Sequence, residues 1–235
     1  MTLQKGRIQV LDLWRTLAIL GMVLYHFCYD LMVFGVISQP GFFSLPVSLL
    51  QQVICWSFIL LAGISARFTR SNVRRGLVTL AAGLLIMLGS NLAGLPIRFG
   101  ILQCLGCSML LYALMSRKLE KLHPGFGLLW FGLFWLTRWL TGLGYVQAGW
   151  LYPLGFIRAD FYSADYFGLL PWFFLFLTGT SLGGGISRLQ SREVQPAWMG
   201  LDLPDALTWP GRHSLLLYLL HQPLLYGLAW LLVGC

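Results

Sequence analysis

The chain has 235 residues, of which 57% are hydrophobic, 15% aromatic and only 10% charged, with a mean hydropathy of +0.74. A water-soluble domain of this length has too little interior to hide that much apolar surface, so soluble classes are excluded and an integral membrane protein is expected. The formal net charge of +8 does not point to nucleic acid, because the basic residues sit in alternate loops of an otherwise apolar chain.

Taken in chain order, the apolar stretches predict about seven helical spans, at 11–36, 46–66, 76–95, 99–116, 124–141, 167–186 and 211–232. The linkers are short, so the expected fold is an all-α integral membrane protein, a single polytopic bundle with one domain over 1–235. The apolar run behind Lys5 and Arg7 is too long for a signal peptide, contains charge and has no small-residue cleavage site, so it reads as the first span. One set of loops carries Lys5 and Arg7, then Arg67, Arg70, Arg74 and Arg75, then Arg117, Lys118 and Lys121, then Arg188 and Arg192. The opposite set holds little beyond Arg98, Arg138 and Arg158, which predicts a cytoplasmic N-terminus and places Cys235 outside.

The first span is written in Leu, Ile, Val, Met, Phe and Ala except for Asp12, Arg15, His26 and Asp30. At 100° per residue these four lie within an arc of about 60°, and Asp12 to Asp30 covers about 27 Å of helix. Ionisable groups at membrane depth are costly and mark functional sites by default. His26 and Asp30 are spaced i, i+4, so a carboxylate can orient the imidazole, raise its basicity and leave the other ring nitrogen free for catalysis. The alternative is an interhelical hydrogen bond that only ties the bundle. Asp12 and Arg15, at i, i+3, can pair; Arg15 also suits a phosphate ligand.

Beyond it, 37–46 is an uncharged external connection with two prolines and a glycine. The cluster Arg67, Arg70, Arg74 and Arg75 follows from topology and equally suits phosphate binding. Five cysteines, mostly within spans, give no disulfide framework, and Cys104-Leu105-Gly106-Cys107 lacks the second pair that a metal or redox site would use. The spans are rich in glycine, at 83, 89, 132, 179 and 183–185, which lets helices approach closely.

The long external connection 142–166 carries Arg158, Asp160 and Asp165, the last placed where the chain re-enters the membrane before Pro171-Trp172. The internal connection 187–210, with Glu193, Asp202 and Asp205, suits a linker with a short surface helix around Trp198. The last span opens on Gly211-Arg212-His213-Ser214. Ser214, Tyr218 and His221 share one face, and His221 lies about 15 Å above the span's start, near mid-bilayer. Pro171 and Pro223 fall in or at the edge of spans, where a missing N–H frees backbone carbonyls.

Four ordered blocks carry a family likeness. They are Arg7-Ile8, Leu11-Asp12, Arg15, Met22-Val23, His26 and Asp30; Phe99-Gly100-Ile101-Leu102 with Gly106; Asp165-Tyr166-Phe167 with Leu170-Pro171-Trp172; and Gly211-Arg212 with Ser214-Leu215, Tyr218 and His221-Gln222-Pro223. Together the blocks closely resemble the short bacterial members of the heparan-alpha-glucosaminide N-acetyltransferase catalytic-domain family, over nearly the whole chain. The first-span pattern is also similar to that of the wider transmembrane acyltransferase group. Two positions depart from the family pattern: Gln103 stands where His is frequent and Gly168 where proline is common. Gln cannot shuttle a proton, so no catalytic role is carried to position 103.

The resemblance implies a multi-pass enzyme of the bacterial cytoplasmic membrane that moves an acetyl group from acetyl-CoA to a carbohydrate or glycolipid acceptor, with no metal. His26, supported by Asp30, would act as general base or be transiently acetylated, and His221 would stabilise the oxyanion or position the thioester. Arg15, Arg67, Arg70, Arg74 and Arg212 would hold CoA phosphates. A different class, a non-enzymatic carrier that relays a proton or solute along the same stripe, is the competing reading.

Overall fold

The computed structural model describes residues 7–233; Lys5 and Cys235 lie outside them. The described residues contain no strand. Nine α-helices are described: α1 Gln9–Val33, α2 Gln39–Phe42, α3 Leu45–Phe68, α4 Asn72–Leu92, α5 Ile101–Leu119, α6 Phe126–Thr141, α7 Leu169–Gln190, α8 Asp205–Arg212 and α9 Ser214–Val233. Five of them, α1, α3, α4, α7 and α9, are long and apolar enough to cross a membrane. The other two expected spans exist as helices that fall short of that measure. α6 has 16 residues, and the 19 of α5 include Gln103, Ser108, Ser116, Arg117 and Lys118, which dilute its apolar content.

Helix ends follow local chemistry. α1 stops where Phe34 N–H reaches Asp30 O at 3.0 Å and Val36 N–H reaches Leu31 O at 2.9 Å. Between them Gly35 takes φ +77°, a left-handed conformation that glycine adopts without a Cβ penalty. α2, inside the external connection expected at 37–46, begins at Ser38, whose Oγ accepts the Gly41 N–H at 3.3 Å. Its Phe42 is 3% exposed and packs on the rings of Tyr25 and Tyr29. The expected helix near Trp198 is a single 3-10 turn, Ala197–Gly200.

The chain divides into two compact units, one formed by 7–58 with 190–233 and the other by Ile59–Leu189. In the first, α1 packs against α8 and α9, and Trp14 Nε1 donates to Ser57 Oγ at 3.1 Å. The segment expected to open the last span is broken there: α8 ends at Arg212 and α9 starts at Ser214. His213 between them donates its N–H to the carbonyls of Trp209 and Pro210, at 3.1 and 3.2 Å, which closes α8 with its own C-terminal turn.

In the second unit α4 packs along α5. Gly83 and Gly179 both sit where a Cβ would meet backbone atoms closer than 3.0 Å, as small-residue contacts between membrane helices require. Gly89 and Gly132 face open space instead. Two stretches distant in sequence are laced together: Ala164 N–H donates to Pro96 O at 3.0 Å and Phe167 N–H to Phe99 O at 2.9 Å. Ser163 Oγ accepts the Arg98 N–H at 2.8 Å.

Candidate active site

Within the first unit the polar stripe of α1 faces α8 at its N-terminal end and α9 further along. Asp12 is 1% exposed and its carboxylate accepts from both Arg7 and Arg15. Two guanidiniums share one carboxylate, so this end of the stripe keeps a net positive charge and the buried anion is fully partnered. The Asp12 pairing raises the Arg7 pKa further, chiefly through the hydrogen bond and against the effect of burial. The expected Asp12–Arg15 pair is therefore formed, with Arg7 as a third member.

Arg212 lies at the end of α8 and pairs with Asp205, and it also donates to Thr208 Oγ1 at 2.9 Å. Its neighbour Gly211 donates its N–H to Thr16 Oγ1 at 3.0 Å, and Thr16 in turn donates to Asp12 O at 3.1 Å. That relay ties the basic end of α8 to the basic end of α1. Exposed His213 stacks on Trp209, with ring centroids 4.5 Å apart, and takes no part in the stripe.

Deeper along α1, His26 meets His221 of α9, ring centroids 4.8 Å apart at 62°. Tyr25 lies edge-on to His26 at 5.6 Å and Tyr218 edge-on to His221 at 5.3 Å. His221 Nδ1 is 2.6 Å from the carbonyl oxygen of Tyr218 on its own helix. The two histidines, singled out on separate spans in the sequence, thus come together.

Asp30 behaves differently from expectation. Its Oδ1 accepts from Gln222 Nε2 at 2.8 Å, and no hydrogen bond links it to His26. The i, i+4 spacing allows contact on the helix face, but the amide from α9 supplies a donor that a neutral imidazole one turn away need not supply. Asp30 is 1% exposed and is anchored across the α1–α9 seam. Gln222 is named in the sequence only as part of the His221-Gln222-Pro223 block, with no role of its own.

The remaining predicted arginines belong to the second unit. Arg70 and Arg74 are exposed, while Arg67 donates from Nη2 to Glu120 O at 2.8 Å. Arg67 borders a shallow cleft that Trp130, Ser181, Thr180 and Gly184 also line. Cys104 and Cys107 are both free thiols, the former buried. Among the described residues no group of three His, Cys, Asp or Glu side chains is arranged to hold a metal ion.

Gln103 and Asp165 both serve the N-terminus of α5. Gln103 Oε1 accepts the Gly100 N–H at 2.6 Å, and Asp165 Oδ2 accepts the Ile101 N–H at 3.1 Å. Both groups satisfy donors that a helix start leaves unpaired, and the carboxylate also complements the positive end of the helix dipole. Burial pushes the Asp165 carboxyl up to about 6, against the opposing hydrogen bond from Ile101.

A family model described as "Heparan-alpha-glucosaminide N-acetyltransferase, catalytic" matches residues 7–223. No curated protein matches the chain, and no solved structure does.

Proposed function

The chain belongs to the heparan-alpha-glucosaminide N-acetyltransferase catalytic-domain family, and on that premise we propose that it transfers an acetyl group from acetyl-CoA to a carbohydrate or glycolipid acceptor at the α1–α9 seam. The observation that carries this reading is the His26–His221 pair, two imidazoles 4.8 Å apart on apolar membrane-length helices. An acyl transfer needs a proton acceptor for the incoming nucleophile and a proton donor for the leaving thiolate, and an imidazole can serve in either role. Asp30, one turn beyond His26 and held by Gln222, adds a carboxylate to the same seam.

Phosphate binding is assigned to Arg15 and Arg212, which flank the α1–α8 contact. Arg7 and Arg15 on the one carboxylate of Asp12 leave this end with a net positive charge, which suits a diphosphate. A bacterial cytoplasmic membrane location, with the N-terminus cytoplasmic, would put this basic end on the side where acetyl-CoA is made.

Purified protein in detergent, given radiolabelled acetyl-CoA and a panel of glycolipid and polysaccharide acceptors, tests the reading. Label should move to an acceptor and should cease to move when both imidazoles are removed, in His26→Ala with His221→Ala. CoA should bind at low salt and bind more weakly in Arg15→Ala. No CoA binding at low ionic strength overturns the proposal. A carrier would bind solute without releasing free thiol.

A further inference from the structure

Three polar atoms of the α1–α9 seam are buried without a hydrogen-bond partner among the described residues: Oδ2 of Asp30, Nε2 of His221 and Oε1 of Gln222. The exposures are 1% for Asp30 and 9% for His221. Gln222 bridges to Asp30 through its amide nitrogen and the His221 ring meets His26 one turn before Asp30, so all three side chains line the same α1–α9 seam. Buried polar atoms are almost always satisfied, and three exceptions in one seam call for an explanation.

Their chemistry has a common sign. A carbonyl oxygen can only accept, so the 2.6 Å contact from His221 Nδ1 to Tyr218 O puts the ring proton on Nδ1. Nε2 of the neutral ring is then a bare lone pair. Gln222 spends an N–H on Asp30, which leaves its Oε1 as an acceptor. Asp30, as a carboxylate, only accepts. The three unpartnered atoms are therefore all acceptors, and what complements them is a group rich in O–H or N–H.

Resting on the acetyltransferase reading, we propose that this cluster is the subsite for the nucleophile: Nε2 of His221, rather than His26, takes the proton of the attacking O–H or N–H. Asp30 and Gln222 hold the donors beside it. In the step, the substrate's O–H or N–H bond breaks and its proton passes to Nε2. The freed electron pair bonds the carbonyl carbon of the thioester, and the C–S bond then breaks. The departing thiolate takes the proton back from Nε2–H, so the ring ends neutral in its starting tautomer and free thiol is released. Tyr218 O keeps the Nδ1–H in place throughout, which fixes the direction in which the lone pair points. Asp30 is a binding group for the substrate here, not the support of His26.

Two measurements test the assignment, one of them independent of turnover. Protein labelled with ¹⁵N-histidine contains four imidazoles, and loss of one signal set in His221→Gln identifies His221. Near neutral pH its Nδ1 should resonate as a protonated, pyrrole-type nitrogen and its Nε2 as a pyridine-type nitrogen. The opposite tautomer overturns the proposal whatever the enzyme does. The second measurement is kinetic. His221→Asn keeps a donor near Tyr218 O but removes Nε2, and should lower kcat by roughly 10²- to 10⁴-fold while CoA binding stays unchanged. Asp30→Asn should act mainly on acceptor KM, raising it about tenfold or more. If wild type transfers acetyl and His221→Asn does so equally well, this assignment falls and the acetyltransferase reading stands. If wild type neither binds CoA nor transfers, the function itself fails.

Discussion

Gly211 of α8 lies so close to α1 that a Cβ built on it would sit 2.1 Å from the backbone oxygen of Asp12. The contact joins the two basic ends of the first unit through backbone, and the hydrogen bond from Gly211 N–H to Thr16 Oγ1 lies in the same place. Neither partner is a flexible side chain, so neither can yield cheaply. Gly211→Ala should cost about 1–3 kcal/mol or more, seen as a lower melting temperature in detergent. CoA binding should weaken in step if Arg15 and Arg212 hold its phosphates. An unchanged melting temperature would mean that α8 can back away from α1.

Asp12 carries two guanidiniums on one buried carboxylate. Replacing it by Asn removes the charge that both arginines face. Breaking a fully buried pair costs roughly 3–5 kcal/mol. The loss here should be smaller, because the Arg7 side chain is 59% exposed and can turn to water. A stability loss of about 2 kcal/mol, less in Asp12→Asn with Arg7→Gln than in Asp12→Asn alone, is the expected result of a double-mutant cycle.

Asp165 makes the second unit sensitive to acid in the direction opposite to an ordinary salt-bridged carboxylate. Burial raises it from 3.8 to about 6 in the folded chain. A raised carboxyl favours folding while protonated, so the contribution is complete below the unfolded value and is lost as pH rises through about 6. Stability should therefore increase as pH falls from 7 toward 4, by on the order of 1–3 kcal/mol from this group. Asp165→Asn keeps an acceptor for the Ile101 N–H and should flatten the profile in thermal melts taken across that window. A wild-type profile that matches the variant would remove the assignment.

Gln103 should prove structural. Its Oε1 closes the first turn of α5 on the Gly100 N–H, inside a region where Gln103 itself is 4% exposed. Gln103→Ala orphans a buried donor and should cost about 1–3 kcal/mol. Gln103→Glu, which still accepts, should lose less than the alanine variant, as a capping-box residue does. Acetyl transfer per folded molecule should be unchanged in both.

The helices themselves were readable because apolar length is a local property. The expected 46–66 became Leu45–Phe68, 124–141 became Phe126–Thr141, and 167–186 became Leu169–Gln190. His26 and His221 stood out for a related reason: a titratable residue in apolar surroundings is visible without knowing its neighbours. What periodicity could not supply was partnership. Gln222 reads as a neutral amide beside a proline until α9 is laid against α1, and Asp30 finds its donor 192 positions away. The break at His213 was hidden in the same way, because Gly211-Arg212-His213-Ser214 has no residue that forbids a helix. Asp165 reads as a loop acid where the chain re-enters the membrane, and only its hydrogen bond from the Ile101 N–H reveals that it caps α5.

The lacing of 96–99 to 163–167 carries a consequence for how the molecule is made. Those hydrogen bonds span 65 positions or more and enclose α5 and α6 in a ring shut without any covalent link. Closing a long ring yields contacts only after its chain entropy has been surrendered. During biogenesis these ties should form after the enclosed helices are in place, as a late clasp. A helix inserted in the wrong orientation would keep the two strips apart and leave the ring open to proteolysis.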